Sequence, residues 1–380
     1  MTALCWAAHQ GNTATVQALL ANDNACVALL SDDALKDNYE STALHSATFC
    51  GHVATVQVLL ANTKARTALL SNNALKNDKG KTALNWIAHS RNTTMARTLL
   101  ANDEARIAFL SDGVLKDSEG KTALHNAACQ RHASMIRTLL NNDDACAALL
   151  KPSALKDNKG RTALHHVAFE GIAASVQALL KNDDACAALL KFEVLTDHKK
   201  RTALHYTAYR INPTTMQALL DNDDARTALL NRNVLTDNWQ ESALHITADT
   251  GNTLTLQALL DNDDACIALL GNAVLKNNYG RTALHLAASK GHSDTVKALL
   301  ANKHARINLL RNKALQDNLG KTALEYAQEG RHSEIVTYIT EAITQTKPLA
   351  SVAPADKTSC VDQSSCNRVL ASFGLAHSHH

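Results

Sequence analysis

The sequence predicts an all-α protein built as a helical solenoid, and two features of its 380 residues carry this prediction. The first is a repeat, because Thr-Ala-Leu-His or a near copy returns every forty residues in nine places. A fixed period of roughly 20–50 residues is typical of solenoids, in which each unit contacts only its neighbours. The second is composition: 46% of residues are hydrophobic but 4% aromatic, so alanine and leucine must fill a core of closely packed helices. The copies, numbered repeats 1 to 9, begin at Thr2, Thr42, Thr82, Thr122, Thr162, Thr202, Ser242, Thr282 and Thr322.

Three short apolar segments with helical spacing make up each unit, as repeat 4 illustrates. Residues 123–128 predict a first helix with Thr122 as its N-cap, and residues 136–140 predict a second helix. Asn142, which has a counterpart in all eight full units, is expected to end the second helix in a left-handed conformation and to cap the third. Residues 145–150 predict that third helix, whose preceding acidic pair complements the helix dipole.

The loop after the first helix holds glycine in five copies and a bulkier residue in four. Glycine favours a left-handed turn. The other copies should therefore either tolerate strain in the same turn or use a different one. These copies carry Arg91, Arg131, Ile211 and Arg331.

The repeated pattern resembles the ankyrin repeat. Asp-x-x-Gly-x-Thr-x-Leu-His-x-Ala-Ala-x-x-Gly-His, followed by Val-x-x-Leu-Leu, is matched best by residues 277–300, and the resemblance extends from residue 2 to about 342. Two departures stand out: alanine replaces the proline usual after the threonine, and the unit has forty residues where ankyrin repeats have about 33. The resemblance implies an ankyrin-type helical solenoid with an additional short helix per repeat, placed on the outer edge.

Two regions are predicted: a solenoid over residues 1–343, with the first and last repeats as caps, and a flexible Pro- and Ser-containing tail over 344–380. No apolar run is long enough to span a membrane, and no secretory signal is visible. Cysteines at equivalent positions of neighbouring repeats should lie roughly 8–10 Å apart, beyond the ~7 Å that a disulfide allows. We therefore expect reduced thiols and a cytoplasmic protein, or one in the host cytosol if it is a secreted bacterial effector whose tail carries a signal.

The repeated histidines are interpreted as structural, because the resemblance implies that each Thr-His pair ties adjacent units. Cysteines and histidines of the tail, such as Cys360 and Cys366, match no zinc-binding spacing. We therefore predict no enzyme, no metal and no cofactor. The alternative of an enzyme, or a targeting arm, with its chemistry in the tail is disfavoured, since 37 residues rarely form a core.

Positions that vary while the frame repeats are the candidates for partner binding. The resemblance implies that they line a concave groove and the finger tips, which together would bind a partner protein. Aromatic candidates are Tyr39, Phe49, Phe169, Tyr209, Trp239 and Tyr279, and basic candidates before the threonine are Lys81, Lys121, Arg161, Arg201 and Arg281. A second basic series comprises Lys36, Lys76, Lys116, Lys156 and Lys276.

The two basic series allow two interpretations: they attract an acidic partner surface, or they are solvated loop residues. Nucleic-acid binding along them is a further alternative. The net charge of +2 and pI near 8.1 argue against that alternative, since general nucleic-acid binders are more basic.

Overall fold

The computed structural model describes residues 2–311 and 314–346. Within these ranges the chain forms helices and two isolated β-bridges but no strand, so the predicted all-α class is confirmed. The chain divides into two compact units, residues 1–198 and 199–380. The helices of repeats 1 to 5 belong to the first unit and those of repeats 6 to 9 to the second.

Each full repeat contains three α-helices, as predicted. The first helices are Ala3–His9, Ala43–Cys50, Ala83–His89, Ala123–Cys129, Ala163–Glu170, Ala203–Ala208, Ala243–Thr250, Ala283–Lys290 and Ala323–Glu329. The second helices are Thr13–Ala21, Val53–Ala61, Thr93–Ala101, Ala133–Leu140, Ala173–Leu180, Pro213–Leu220, Thr253–Leu260, Ser293–Ala301 and Ser333–Thr346. The third helices are Asp23–Leu29, Thr63–Leu69, Asp103–Phe109, Asp143–Leu149, Asp183–Leu189, Asp223–Leu229, Asp263–Leu269 and Lys303–Leu309. Repeat 1 adds Asp32–Leu35, and repeat 5 adds the 3₁₀ helix Phe192–Val194.

Helices this short are marginal alone, so capping and packing must hold them. In repeats 2 to 9 the threonine or serine that opens the repeat and the residue three places later form a capping box at the first helix. Within each unit the first helices of consecutive repeats pack on one another, and alanine and leucine fill the core. The finger turn is the five residues before the opening threonine or serine, and we count it with the repeat that follows. It begins with an Asp or Asn in repeats 2 to 9, such as Asp157.

For the asparagine between the second and third helices, the predicted helix cap is present but the predicted backbone conformation is not. Asn142 Oδ1 accepts a hydrogen bond from the backbone N–H of Ala145 at 2.9 Å, which caps the third helix as predicted. The predicted left-handed conformation is wrong, since Asn142 has φ −98° and ψ 116°. An extended residue suffices here because the next helix starts at once, so the chain only has to change direction.

In the loop after the first helix, two of the four bulky residues adopt the left-handed turn and two belong to a different turn, which are the two alternatives expected from the sequence. Gly51 adopts the left-handed conformation at φ 84°, and Arg131 and Arg331 adopt it at φ 64° and 59°. Arg91 and Ile211 have no positive φ, so repeats 3 and 6 use a different turn. A non-glycine residue in this region costs free energy, which the surrounding repeat must offset.

The last helix, Ser333–Thr346, is longer than the other second helices and runs three residues past the predicted boundary at 343. The remainder of the predicted tail, 347–380, lies outside the described residues, as do Cys360 and Cys366. Within the described ranges no helix is both long and apolar enough to cross a membrane. None of the seven cysteines within these ranges takes part in a disulfide, as expected from their spacing.

Candidate functional site

The repeated histidines lie inside the stack and link one repeat to the next. His45 Nδ1 lies 2.9 Å from the Thr42 hydroxyl, and Nε2 lies 3.1 Å from the carbonyl oxygen of Lys81 in the following repeat. Burial lowers the pKa of His45 and His245 to about 4 and that of His125 to about 3. At neutral pH these rings are therefore uncharged hydrogen-bonding groups with a structural task.

The second basic series also links repeats. Lys76 Nζ and Lys116 Nζ each donate a 2.8 Å hydrogen bond to the backbone carbonyl of the lysine forty residues later, and Lys156 Nζ donates to Thr196 O at 2.9 Å. Burial lowers the pKa of all three ammonium groups. These lysines are thus neither purely solvated nor fully available to a partner, since their donors are used within the protein.

Six aromatic residues proposed for partner binding are exposed, with relative accessibilities between 36% and 68%. The exposure expected of Tyr39, Tyr209, Trp239 and Tyr279 is therefore confirmed, while the role of all six residues in binding stays a prediction. Large exposed apolar side chains that group together often mark interaction sites. Tyr39 and Phe49 line one cavity of the first unit, and Tyr209, Trp239 and Tyr279 belong to the second unit, where we treat them as a second group.

The first group surrounds a cavity of about 280 Å³ in the first unit, lined by Tyr39, Phe49 and Trp86 among others. The rings of Phe49 and Trp86 meet edge to face with centroids 5.0 Å apart. Lys81 Nζ lies 4.6 Å from the centroid of Trp86, within the range of a cation–π contact. Trp86 was missing from the sequence-based candidates. Its position in the repeat varies as much as theirs, being Ser46 in repeat 2 and His166 in repeat 5, and this variation was the signal.

The second group comprises Tyr209, Trp239 and Tyr279 in the second unit. Lys199 Nζ lies 5.6 Å from the centroid of Trp239, and the Arg281 guanidinium lies 5.9 Å from that of Tyr279. Both groups therefore present aromatic surface beside positive charge, a combination that suits protein interfaces.

Each cation of the first basic series has a partner inside the protein. Lys121 Nζ lies 2.6 Å from Glu119, and Arg161 Nη2 lies 2.8 Å from Asp157. Arg201 and Arg281 each donate a 2.8 Å hydrogen bond to a tyrosine hydroxyl, that of Tyr206 and Tyr326. The pairings with carboxylates neutralise part of the positive charge of the series, so long-range attraction of an acidic partner is weaker than the sequence alone indicates.

A cation of this series can pair with the aspartate that begins the finger turn, as Asp157 in repeat 5 illustrates. Asp157 Oδ1 accepts the backbone N–H groups of Lys159 and Arg161, at 2.8 and 2.9 Å. Its Oδ2 accepts the Arg161 guanidinium and His166 Nε2, at 2.9 and 3.0 Å. In repeat 9 Tyr326 replaces the imidazole, with its hydroxyl donating to Asp317 Oδ2 at 2.7 Å. One oxygen thus orders the turn, and the other is covered by side chains.

Repeat 7 lacks this cover. Glu241 occupies the place of the arginine and Ile246 that of the histidine or tyrosine. Asp237 is buried, at 3% relative accessibility, and its Oδ2 has no hydrogen-bond partner among the described residues. Glu241 is half-buried and accepts Asn277 Nδ2 at 3.1 Å. Burial, followed by the negative charges of Asp237 and Asp249, raises the pKa of Glu241, so this acidic gap of Asp237 and Glu241 is electrostatically unfavourable.

One cluster has the order of a nucleophile, a base and an orienting carboxylate. Cys129 Sγ lies 3.2 Å from His166 Nδ1, whose Nε2 contacts Asp157. Burial raises the pKa of Cys129 to about 11, however, and burial also lowers that of His166. The thiol is therefore protonated at neutral pH, and His166 covers Asp157 as Tyr326 covers Asp317. Across the described part of the chain no group of three or more candidate ligands could hold a metal ion.

The comparisons with known proteins concern this same repeat. A family model described as "Ankyrin repeats (3 copies)" matches residues 1–69, 65–148, 112–188, 222–311 and 265–348. No curated protein sequence matches the chain. The ankyrin repeat domain of Bcl-3, a member of the IkappaB family, is 21% identical over 69% of this chain and 99% of its own, with a TM-score of 0.47. The ankyrin repeat protein EF0377 is 18% identical over 57% of this chain and 96% of its own, with a TM-score of 0.44.

Proposed function

The chain belongs to the ankyrin-repeat family, and from this premise we propose that it is a non-enzymatic scaffold that binds a partner protein. The binding surface comprises the finger turns and the last turn of the first helices, which together we name the recognition face. Repeats of this kind generally mediate protein–protein interaction, and a packed frame with a variable surface suits that task.

The observation that carries the proposal is where the exposed aromatic residues lie. Tyr39, Trp239 and Tyr279 stand on finger turns, and Phe49 and Tyr209 stand at or beside the ends of first helices. Tyrosine and tryptophan are among the residue types that dominate interface hot spots, because they bury a large area at low entropic cost. Each unit therefore presents its own anchors for a partner.

Affinity capture followed by identification of the partner, and then titration calorimetry with it, tests this proposal. The variant Tyr209→Ala, Trp239→Ala, Tyr279→Ala should bind the identified partner at least about a hundredfold more weakly, since a hot-spot truncation costs roughly 2 kcal/mol or more. A circular dichroism melt of the variant establishes that its fold is intact.

A matched control comes from exposed apolar residues elsewhere in the second unit. Leu254 lies on a second helix and Ile267 on a third, and both are more than half exposed. Changing both to alanine should leave the dissociation constant unchanged. An aromatic triple variant that binds like the wild type would show that the partner uses another surface.

A further inference from the structure

Repeat 7 lacks the cation that covers the turn aspartate in repeat 5. Arg201 and Arg281 occupy the position before the helix cap in repeats 6 and 8, and Glu241 occupies it in repeat 7. Arg161 shows what the usual side chain does in repeat 5: two guanidinium nitrogens contact Asp157 Oδ2, at 2.9 and 2.8 Å. At repeat 7 the corresponding oxygen of Asp237 has no hydrogen-bond partner within the described part of the chain.

A buried carboxylate oxygen without a partner is unusual, since buried polar groups are nearly always hydrogen-bonded. Asp237 cannot be omitted, because its Oδ1 accepts the backbone N–H groups of Trp239 and Glu241 at 2.8 and 3.0 Å and so shapes the turn. Glu241 then adds a second carboxylate where the other repeats add a cation or a hydroxyl. The Glu241 carboxylate accepts a hydrogen bond from Asn277 Nδ2, but this neutral donor does not neutralise the two negative charges of the acidic gap.

The surroundings of the acidic gap include aromatic side chains of the recognition face. Tyr209 has its pKa raised by burial and then by the charges of Asp237 and Glu241, which shows that it lies near both carboxylates. Trp239 belongs to the same finger turn and is about 43% exposed. Positive charge is near too, since Lys199 lies over Trp239 and Arg201 interacts with Tyr206 and Tyr209, so a guest must compete with these groups.

We propose that the acidic gap, with Tyr209 and Trp239 beside it, binds an arginine side chain of the partner protein. The guanidinium would pair with the Glu241 carboxylate, compensate the charge of Asp237 and stack on an aromatic ring. Both contacts have precedents in this chain, because Arg161 pairs with Asp157 and the Arg201 guanidinium lies 4.7 Å from the centroid of Tyr206. Arginine suits the place better than lysine, since its planar fork pairs with a carboxylate and stacks at the same time.

This inference deepens the proposed function and rests on it for its biological meaning, but a direct experiment tests it without the partner. The probe is the acetylated and amidated peptide Gly-Ala-Arg-Ala-Gly, titrated into the full chain with ¹⁵N-labelled tryptophan. The indole NMR signal of Trp239 is identified by its loss in Trp239→Phe. We expect a saturable shift of this signal and a weaker or absent response of the other two indoles, Trp6 and Trp86.

Changes at Glu241 supply the decisive comparison. Glu241→Gln should weaken peptide binding about tenfold, the cost of losing one charge-assisted pair. Glu241→Arg should abolish peptide binding, because the introduced guanidinium then occupies the place of the peptide's arginine. The same change should raise the thermal midpoint of unfolding, since the new side chain can pair with Asp237. Glu119→Gln, which changes an exposed finger-turn acid in the first unit, should leave peptide binding unchanged.

Several results would overturn the inference: no saturable shift, an equal response to a citrulline or lysine peptide, or Glu241→Arg that binds like the wild type. If the arginine peptide does not bind but the aromatic triple variant still loses the partner, the arginine site falls and the proposed function stands. If the peptide binds but the triple variant retains the partner, the arginine site stands and the proposed binding surface for the partner falls.

Discussion

His245 Nε2 lies 3.1 Å from the carbonyl oxygen of Arg281, thirty-six residues later in the chain. The same ring holds its own helix cap, with Nδ1 2.9 Å from the hydroxyl of Ser242. One imidazole thus joins the start of a helix to the following repeat. It can do so only while Nδ1 is unprotonated, because that nitrogen accepts a hydrogen bond from the backbone N–H of Ser242. The stability of the stack should therefore depend on pH.

The first prediction concerns acid. Burial places the folded-state pKa of His245 at about 4, below the unfolded value of about 6.5. As the pH falls, the unfolded chain binds the proton first, so the contribution of His245 is fully present above about pH 6.5 and is lost toward pH 4. The loss should reach about 1.4 kcal/mol per pH unit for each such histidine. Urea unfolding at a series of pH values measures it.

His245→Asn provides the test of that cause, because repeat 3 already carries Asn85, which bonds to Thr82 without titrating. The variant should be less stable at pH 7.5 but should lose one histidine's share of the pH dependence. The exposed His304→Asn serves as the control, and its curve should parallel the wild type. A variant at position 245 with the full acid sensitivity would contradict this account.

A second prediction concerns the lysine series that links repeats. Lys116→Met removes the 2.8 Å hydrogen bond from Nζ to the carbonyl oxygen of Lys156 while keeping most of the apolar stem. We expect a loss of about 1–3 kcal/mol in the free energy of unfolding, because a half-buried acceptor loses a charged donor. Lys159→Met, at an exposed finger turn, should change stability by less than about 0.5 kcal/mol. Equal effects in the two variants would mean that the interrepeat bond contributes nothing.

Backbone strain in the finger turns gives a third prediction. Gln240 holds φ at 56°, where five other repeats place a glycine. Gln240→Gly should stabilise the protein by about 0.5–1 kcal/mol, since it removes left-handed strain at a modest entropic cost. The reciprocal change Gly280→Ala should destabilise it, because φ is 72° and a Cβ would lie 2.7 Å from the backbone nitrogen of Asn318. Thermal unfolding of both variants gives the signs, and a destabilising Gln240→Gly would refute the strain.

The fourth prediction separates a structural thiol from a catalytic one. With its pKa near 11, Cys129 should react with iodoacetamide at pH 7.5 on the order of a hundredfold more slowly than a free small thiol. Mass spectrometry of peptides sampled over time follows the residue. Labelling of Cys129 as fast as that of the free thiol would instead indicate that His166 activates it, and an enzymatic function would have to be considered.

Much of the fold follows from the repeat itself. The period, the threonine cap and the spacing of alanine and leucine predict three helices per unit, and the extra third helix follows from the length of the unit. The predicted backbone conformation of Asn142 is wrong because side-chain chemistry indicates that a residue can cap a helix but not which backbone region it occupies. The backbone conformation depends on the relative positions of the second and third helices.

Less of the candidate site could be predicted. Exposure of Tyr209 and Trp239 follows from variable positions in a regular frame, but contacts across repeats do not. Lys116 and Arg161 look alike as basic residues, yet one reaches a carbonyl forty residues away and the other its own turn aspartate. The acidic gap at Glu241 was visible only as a break in a basic series. Its meaning depends on the buried oxygen of Asp237, which only the packing reveals.

The most direct test of the recognition face is site-specific photocrosslinking to the partner identified by affinity capture. A benzophenone amino acid is introduced at Trp239 in one protein and at Leu254 in a second, and each is irradiated with the partner. The account predicts a crosslinked complex from position 239 and little or none from position 254. Crosslinking at 254 with none at 239 would contradict it, because the partner would then lie on the second helices.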